Sequence, residues 1–124
     1  MSEPKIEITL DGLEAYLNTL PPDIRFPCQH GSKCFVAEYV IHLLRAQDAF
    51  ENEAQVSVVS FRTQYYWFEG DKAQTKVIEH TDDVAQLITL IDGWADTLAQ
   101  IGYVSKRNIA DFISQVREEY HADQ

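Results

Sequence analysis

The sequence has few cysteines, few glycines and no long apolar run, and each shortage excludes a class of structure or function. Two cysteines in 124 residues cannot form the disulfide framework of a small secreted domain. The five glycines form neither a Gly-x-Gly-x-x-Gly motif nor a Gly-Lys-Ser/Thr loop, so nothing indicates a nucleotide phosphate site. No apolar run reaches the roughly 18 to 20 residues of a membrane span, so no membrane association is expected.

Basic residues are also scarce. Lysine and arginine total 10 against 20 aspartate and glutamate, and the net charge is -10. Such a chain repels phosphate backbones, so direct nucleic-acid binding is not expected, whereas a basic protein would be attracted. The simpler interpretation is that the charge only keeps the protein soluble. The first residues lack the basic and then apolar order of a signal peptide, so a cytoplasmic location is expected.

Length and composition predict one α+β domain spanning residues 1–124. An apolar fraction of 45% supplies a core, and 124 residues is a common size for one domain. The densest β-forming stretch is 56–69, which is rich in β-branched and aromatic residues. Helical patterns flank it on both sides. We expect a small antiparallel sheet of two to four strands, with about four helices packed mainly on one face.

In the first part of the chain, Lys5 to Leu10 alternates polar and apolar residues, which predicts a short strand. A single helix beginning at Thr9 is the alternative. A short amphipathic helix follows and ends at Pro21-Pro22, because a proline forces its predecessor out of helical conformation. Three prolines and one glycine in 21–32 predict a loop without regular structure. Ser32 is the predicted N-cap of a helix over 33–50.

In the stretch 56–69, the apolar residues move from one face of the predicted strand to the other near Ser60. Either a bulge or a tight turn near Arg62 would restore a single buried face. No glycine marks a turn there, so one long strand with a bulge is predicted. Gly70-Asp71 then predicts a hairpin, with a return strand over residues 75–80.

The last part of the chain predicts two helices. Thr81-Asp82-Asp83 is typical of a helix start, and Gly102 of the following stop. Ser105 is the predicted cap of the final helix. Apolar residues at helical spacing predict the buried stripes of both helices: Val84, Leu87, Ile88, Ile91, Trp94, Ala95, Leu98 and Ile101 in the first, and Ile109, Phe112, Ile113, Val116 and Tyr120 in the second.

Catalytic chemistry finds little support. Cys28, His30 and Cys34 are three soft ligands where structural zinc takes four, so neither a metal nor any other cofactor is predicted. The alternatives are a Cys28–Cys34 disulfide and a reactive Cys34, whose thiol pKa a helix N-terminus would lower. Otherwise Cys34 is a small apolar residue packed on the core. His80 lies near carboxylates, so an acid–base site is one interpretation. A solvated loop histidine is the more common case.

Two groups of side chains are predicted to bind a partner. Asp82, Asp92 and Asp96 lie on the polar face of the most regular helix pattern, and spaced carboxylates can imitate phosphates. Four consecutive rings run from Tyr65 to Phe68, and tyrosine and tryptophan dominate interface hot spots. The predicted contact residues are Asp82, Asp92, Asp96, Arg62, Tyr65, Tyr66 and Trp67. A solvated helix face and a sheet buried on both sides are the alternatives.

The expected function is therefore a non-enzymatic, acidic protein-binding module with an inhibitor, immunity or antitoxin-like role. Its partner would be a basic protein such as one that handles nucleic acid. Two alternatives stay open. One is a small-molecule-binding or enzymatic domain with a site at Cys34 and His30 or at His80. The other is a scaffold subunit that forms homodimers through the aromatic sheet.

Overall fold

The computed structural model describes residues 3–28, 31–97 and 102–121 and has an α+β fold with two small antiparallel sheets. The elements, in chain order, are α1 (Leu10–Asn18), β1 (Arg25–Pro27), α2 (Phe35–Ala46), a 3₁₀ turn (Glu53–Gln55), β2 (Val56–Val58), β3 (Arg62–Glu69), β4 (Lys72–Glu79), α3 (Asp82–Thr97), β5 (Tyr103–Ser105) and α4 (Lys106–His121). The predicted fold class is confirmed.

The apolar stretch after residue 55 forms two strands, so the prediction of one long bulged strand is wrong. β2 and β3 are antiparallel, with Val58 opposite Thr63. A tight turn joins them and is closed by a 2.9 Å hydrogen bond from the Val59 N–H to the Arg62 carbonyl. The turn accounts for the parity change near Ser60, because a reversal of the chain returns the apolar residues to one face.

The predicted hairpin at Gly70 joins β3 to β4. Gly70 has a φ of +64°, a left-handed conformation that glycine adopts without steric cost. All eight residues of each strand pair, from Arg62 opposite Glu79 to Glu69 opposite Lys72. β4 therefore begins three residues earlier than the predicted return strand.

One face of the β2–β3–β4 sheet is buried and the other is exposed. Side chains alternate along the strands, and the buried set is Val56, Val58, Thr63, Tyr65 and Trp67. α2 contacts β2. The buried apolar residues of the sheet and the helices form one cluster, which supplies the hydrophobic stabilisation of the fold.

Residues 3–9 are extended but pair with no strand, which corrects the strand predicted over Lys5–Leu10. Ile6 and Ile8 are nevertheless buried, as the alternation requires. The partner of this segment is a side chain of the loop after α2. The amide of Gln47 accepts from the Lys5 N–H at 2.6 Å and donates to the Lys5 carbonyl at 2.8 Å. Thr9 caps α1, accepting from the Gly12 N–H.

The proline-rich segment 21–32 contains a strand, which the sequence predicted as an irregular loop. β1 pairs with β5, placing Phe26 opposite Val104, and both side chains are buried. Proline is tolerated here because Pro27 ends β1 in a two-stranded sheet. This second sheet joins residues far apart in the sequence, so no local sequence pattern predicts it.

Three predictions about the helices are corrected. α2 begins at Phe35 with Cys34 as N-cap, because the Ser32 hydroxyl donates to the Val56 carbonyl instead. It ends at Ala46, short of residue 50. Tyr120 is 40% exposed rather than buried. The predicted cap of α4 is confirmed, since the Ser105 hydroxyl accepts from the Asn108 N–H at 3.2 Å.

The predicted stripe of α3 is confirmed where the structure describes it. Val84, Leu87, Ile88 and Ile91 are buried, and Trp94 is half-buried against the core. Leu98 and Ile101 lie outside the described residues, as does the side chain of Ala95. Among the helices that are described, none is long and apolar enough to cross a bilayer.

Candidate functional site

The four predicted contact residues of β3 lie on opposite faces of the sheet. Tyr65 and Trp67 are buried, 1% and 5% exposed, with ring centroids 5.8 Å apart. Arg62 is exposed and Tyr66 is half-buried on the other face. Alternation along a strand forces this division, so Tyr65 and Trp67 are core residues and are not available to a partner.

The exposed side of the three-stranded sheet is the first candidate surface, and we call it the outer sheet face. Its central part is uncharged and consists of Ser57, Gln64, Tyr66, Phe68, Ala73, Thr75 and Val77. Tyr66 packs edge-to-face on Phe68 with ring centroids 5.7 Å apart. Its two charges, Arg62 and Glu79, lie opposite each other at one end.

Exposed apolar side chains concentrate on this sheet. Phe68 is 39% exposed and Val77 47%, and Phe61, in the β2–β3 turn, is 60% exposed with the Arg62 guanidinium 5.4 Å from its ring centroid. Single exposed apolar residues are ordinary, but a contiguous group with tyrosine and phenylalanine has the composition of an interface core. In a chain of net charge -10, an uncharged face of this kind can accept the apolar surface of another protein.

Carboxylates border one end of the outer sheet face. Asp82 is exposed at the start of α3, three residues after Glu79. The phenol of Tyr120, near the end of α4, has its pKa raised by desolvation and then by the charges of Glu119, Asp82 and Asp83. These residues are therefore neighbours. We call Glu79, Asp82 and Asp83 the acidic end.

Asp92 does not lie with Asp82 in the described structure. Asp92 is half-buried and lines a cleft of about 340 Å³ between α3, β2 and the start of α2. Ile88, one helical turn earlier, is buried in the same wall. The side chain of Asp96 lies outside the described residues. Of the three predicted aspartates, Asp82 is the one that the structure places on an exposed surface beside the sheet.

Cys34 also lines this cleft, and its thiol is not activated. Its pKa is raised to about 11, mainly by burial and also by the nearby charge of Asp92. The backbone N–H groups of Ala37 and Val36 act in the opposite direction, as expected at a helix N-terminus, but burial outweighs them. The alternative of a reactive Cys34 with a lowered pKa is therefore not supported, and Cys34 is mostly protonated at neutral pH and packs against the core.

The rest of the cysteine–histidine cluster offers no assembled metal site in the described residues. Cys28 and Cys34 are both free thiols, and the pKa of Cys28 is raised by burial and by Asp92. His30 lies outside the described residues. Elsewhere in residues 3–28, 31–97 and 102–121, no three histidine, cysteine or acidic side chains converge on a point that could hold a cation.

His80 joins two strand ends and is half-buried. Its Nδ1 lies 3.0 Å from the Ser60 carbonyl, and its Nε2 lies 2.6 Å from the Thr63 hydroxyl. A neutral ring satisfies both contacts, with Nδ1–H donating and Nε2 accepting. Burial lowers the His80 pKa, partly offset by the bond to Ser60. Both ring nitrogens are engaged in hydrogen bonds within the fold, so the geometry does not favour the acid–base alternative.

A groove of about 670 Å³ follows the N-terminal segment 3–7. Both signs of charge line it, and Lys76 pairs with Glu3 at 3.2 Å. Tyr39 contributes a hydroxyl that already donates to the Glu7 carbonyl.

The contribution of β4 to the outer sheet face is not among the features predicted from the sequence. Ala73, Thr75 and Val77 lie beside Phe68, Tyr66 and Gln64 in the strand register. A signal was present, because Lys72 to Glu79 has no alternating apolar pattern. A strand without an apolar face is typical of one that is poorly covered on both sides.

Comparisons with known protein families, with curated proteins and with solved structures find no match to this chain.

Proposed function

We propose that this protein is a non-enzymatic binding module that docks a basic protein on its outer sheet face. The observation that carries the proposal is an uncovered, uncharged, partly aromatic sheet face with carboxylates at one end. An apolar centre with a charged rim is the usual anatomy of a protein–protein interface. The role is that of an inhibitor, immunity protein or antitoxin acting in the cytoplasm.

Charge selects the class of partner. A chain of net charge -10 attracts basic proteins and repels nucleic acid. The carboxylates of the acidic end would occupy positions that phosphates take in the groove of a nucleic-acid-handling protein. They act chiefly on the rate of encounter, because exposed charges steer association more than they hold a complex together.

The test begins by isolating a partner on the immobilised chain and measuring its binding kinetics. Phe68→Ala removes an exposed ring from the outer sheet face and should speed dissociation about tenfold or more, as expected for an interface anchor. Tyr103→Ala is the matched control, since Tyr103 is an exposed ring on the other sheet. Equal effects of the two substitutions would contradict the proposed surface.

The electrostatic part is tested with two charge-neutralising variants. Asp82→Asn should slow association, and the effect should shrink as salt screens charges beyond about 8 Å at physiological strength. Asp23→Asn removes the same charge beside the start of α4, where the Lys106 N–H donates to the Ile24 carbonyl. The acidic end adjoins the other end of this helix, about 24 Å away.

Asp23→Asn should therefore leave association nearly unchanged. An association rate that depends neither on salt nor on Asp82 would contradict the proposed role of charge in association. A partner that proves to be nucleic acid would contradict the whole proposal.

A further inference from the structure

The two edges of the three-stranded sheet differ in their hydrogen bonding. At the β2 edge, the Val58 N–H donates to the Gly31 carbonyl at 2.9 Å, and the Val56 carbonyl accepts from the Ser32 hydroxyl at 3.0 Å. The chain thus covers this edge with its own residues 31–32. At the β4 edge, within the described residues, the backbone of Lys72–Glu79 bonds only to β3.

The register identifies the groups that face outward from β4. The His80 N–H donates to the Phe61 carbonyl at 2.8 Å, so the backbone of residue 80 points toward the side of β3. Direction alternates along an antiparallel strand. The N–H and C=O groups of Ala73, Thr75, Val77 and Glu79 therefore point away from the sheet. The side chains of these four residues lie on the outer sheet face.

Unpaired strand edges invite another strand, and proteins commonly protect them with charges, prolines or covering segments. The outward-facing stretch of β4 carries alanine, threonine and valine and no proline. Lys76, the charge in the middle of the strand, is paired with Glu3. The edge is thus regular, eight residues long and little protected along its middle.

We infer that an extended, basic segment of the protein partner adds to the β4 edge as a fourth strand. This inference rests on the proposed function and names its mode of contact. Backbone hydrogen bonds to Ala73, Thr75 and Val77 hold the segment, and its alternate side chains extend the outer sheet face. Its basic residues lie against the acidic end, where Glu79, Asp82 and Asp83 outnumber Arg62.

A second copy of this chain is a poorer occupant than a basic segment. Antiparallel two-fold pairing of β4 centred on Thr75 places Asp71 opposite Glu79, and pairing centred on Lys76 places that lysine opposite itself. These are the two registers that align nearly the whole strand, and both oppose like charges, which is unfavourable. Each copy also carries a net charge of -10.

The experiment measures amide hydrogen exchange by NMR on the full chain with a designed peptide. The probe is an eight-residue peptide of alternating valine and threonine that ends in two arginines. Its control is the same peptide ending in two glutamates. The arginine peptide should slow exchange of the Ala73, Thr75 and Val77 amides, which face outward. The Lys76 and Ile78 amides already bond within the sheet and should change little.

A proline variant tests the backbone contact directly. Thr75→Pro removes one outward N–H without removing a bond to β3, and proline is tolerated at such edge positions. It should weaken binding of the arginine peptide about tenfold, the worth of one hydrogen bond. Thr75→Val keeps the N–H and should bind as wild type. The thermal unfolding midpoint of each variant reports whether the fold is intact.

The outcomes separate this inference from the proposed function. If no outward amide of the wild-type chain is protected by the arginine peptide, strand addition is overturned, whatever the proline variant does. The proposed function still stands if Phe68→Ala weakens partner binding. Equal protection by the arginine and glutamate peptides would overturn the basic character of the segment. Protection without any peptide, in a chain that sediments as a dimer, would replace the partner segment with a second copy.

Discussion

At the scale of single residues, two tyrosine hydroxyls in the core differ in their hydrogen bonding. The Tyr39 hydroxyl donates to the Glu7 carbonyl at 3.1 Å and so helps to hold the extended N-terminal segment. The Tyr65 hydroxyl is buried and has no hydrogen-bond partner in the described part of the chain. An unsatisfied buried polar group costs about 1 to 3 kcal/mol, whereas a satisfied one contributes modestly to stability.

The same chemical change should therefore have opposite effects at the two positions. Tyr65→Phe removes an unpaired hydroxyl and should raise the free energy of unfolding by about 1 kcal/mol. Tyr39→Phe leaves the Glu7 carbonyl without its donor and should lower the free energy of unfolding by a similar amount. Urea unfolding of both variants measures the two changes. A destabilised Tyr65→Phe protein would show that this hydroxyl has a partner after all.

At the scale of elements, the turn between β2 and β3 is held by the end of β4. His80 reaches the Ser60 carbonyl with one ring nitrogen and the Thr63 hydroxyl with the other. Thr63 is completely buried, so its hydroxyl depends on this ring for a partner. The His80 ring thus connects the β2–β3 turn to the end of β4.

This contact predicts a loss of stability in mild acid. Burial holds the folded-state pKa of His80 below its ordinary value of 6.5, so the unfolded chain binds more protons in this range. The stabilisation by neutral His80 is present above pH 6.5 and is lost as the pH falls from 6.5 through the folded-state pKa. Urea unfolding at pH values from about 7.5 to 5.5 should show this decline.

Substitution of His80 should remove that part of the pH dependence. His80→Gln cannot titrate, so its free energy of unfolding should change less over the same pH range than that of the wild type. His42→Gln is the control, because His42 is exposed on α2. A wild-type decline that persists unchanged in His80→Gln would assign the pH dependence to other groups.

At the scale of the whole molecule, the first and last helices of the chain are joined to each other. Arg117 of α4 contacts Asp11 and Glu14 of α1 at 2.7 and 2.9 Å, and β1 pairs with β5. The contacts of Arg117 connect residues 106 and 103 positions apart, and β1 and β5 pair across about 80 positions, around one buried cluster. The side chain of Asp11 is 86% exposed and that of Glu14 43%, so the ion pairs contribute little, and the buried cluster supplies most of the stability.

We expect the whole chain to unfold as one cooperative unit. Leu87→Ala removes a fully buried side chain of α3 and should lower the free energy of unfolding by about 2 to 5 kcal/mol. With Trp94 replaced by phenylalanine, fluorescence reports Trp67 in the sheet, while far-ultraviolet circular dichroism reports the helices. Both signals should shift together in Leu87→Ala. Separate transitions would show that the sheet and the helices unfold independently.

Local patterns predicted the elements whose partners are near in sequence. The α3 stripe, the Gly70 hairpin and the Ser105 cap all follow from residues within a few positions of one another. Predictions failed where a distant residue decided the outcome. Gln47 holds Lys5 in place of a strand, and Ser32 bonds to Val56 in place of capping α2.

Some features of the candidate surface likewise follow from the sequence, and others depend on the tertiary structure. Net charge, an aromatic strand and an acidic helix start are properties of the sequence itself, and the proposal of a basic protein partner rests on them. Which rings face outward was decided by the β2–β3 turn, because reversal of the chain set the parity that buries Tyr65 and Trp67. Burial, which outweighs the helix N-terminus at Cys34, likewise exists only once the chain has folded. The open β4 edge is a tertiary property too, since residues 31–32 cover the other edge and leave this one free.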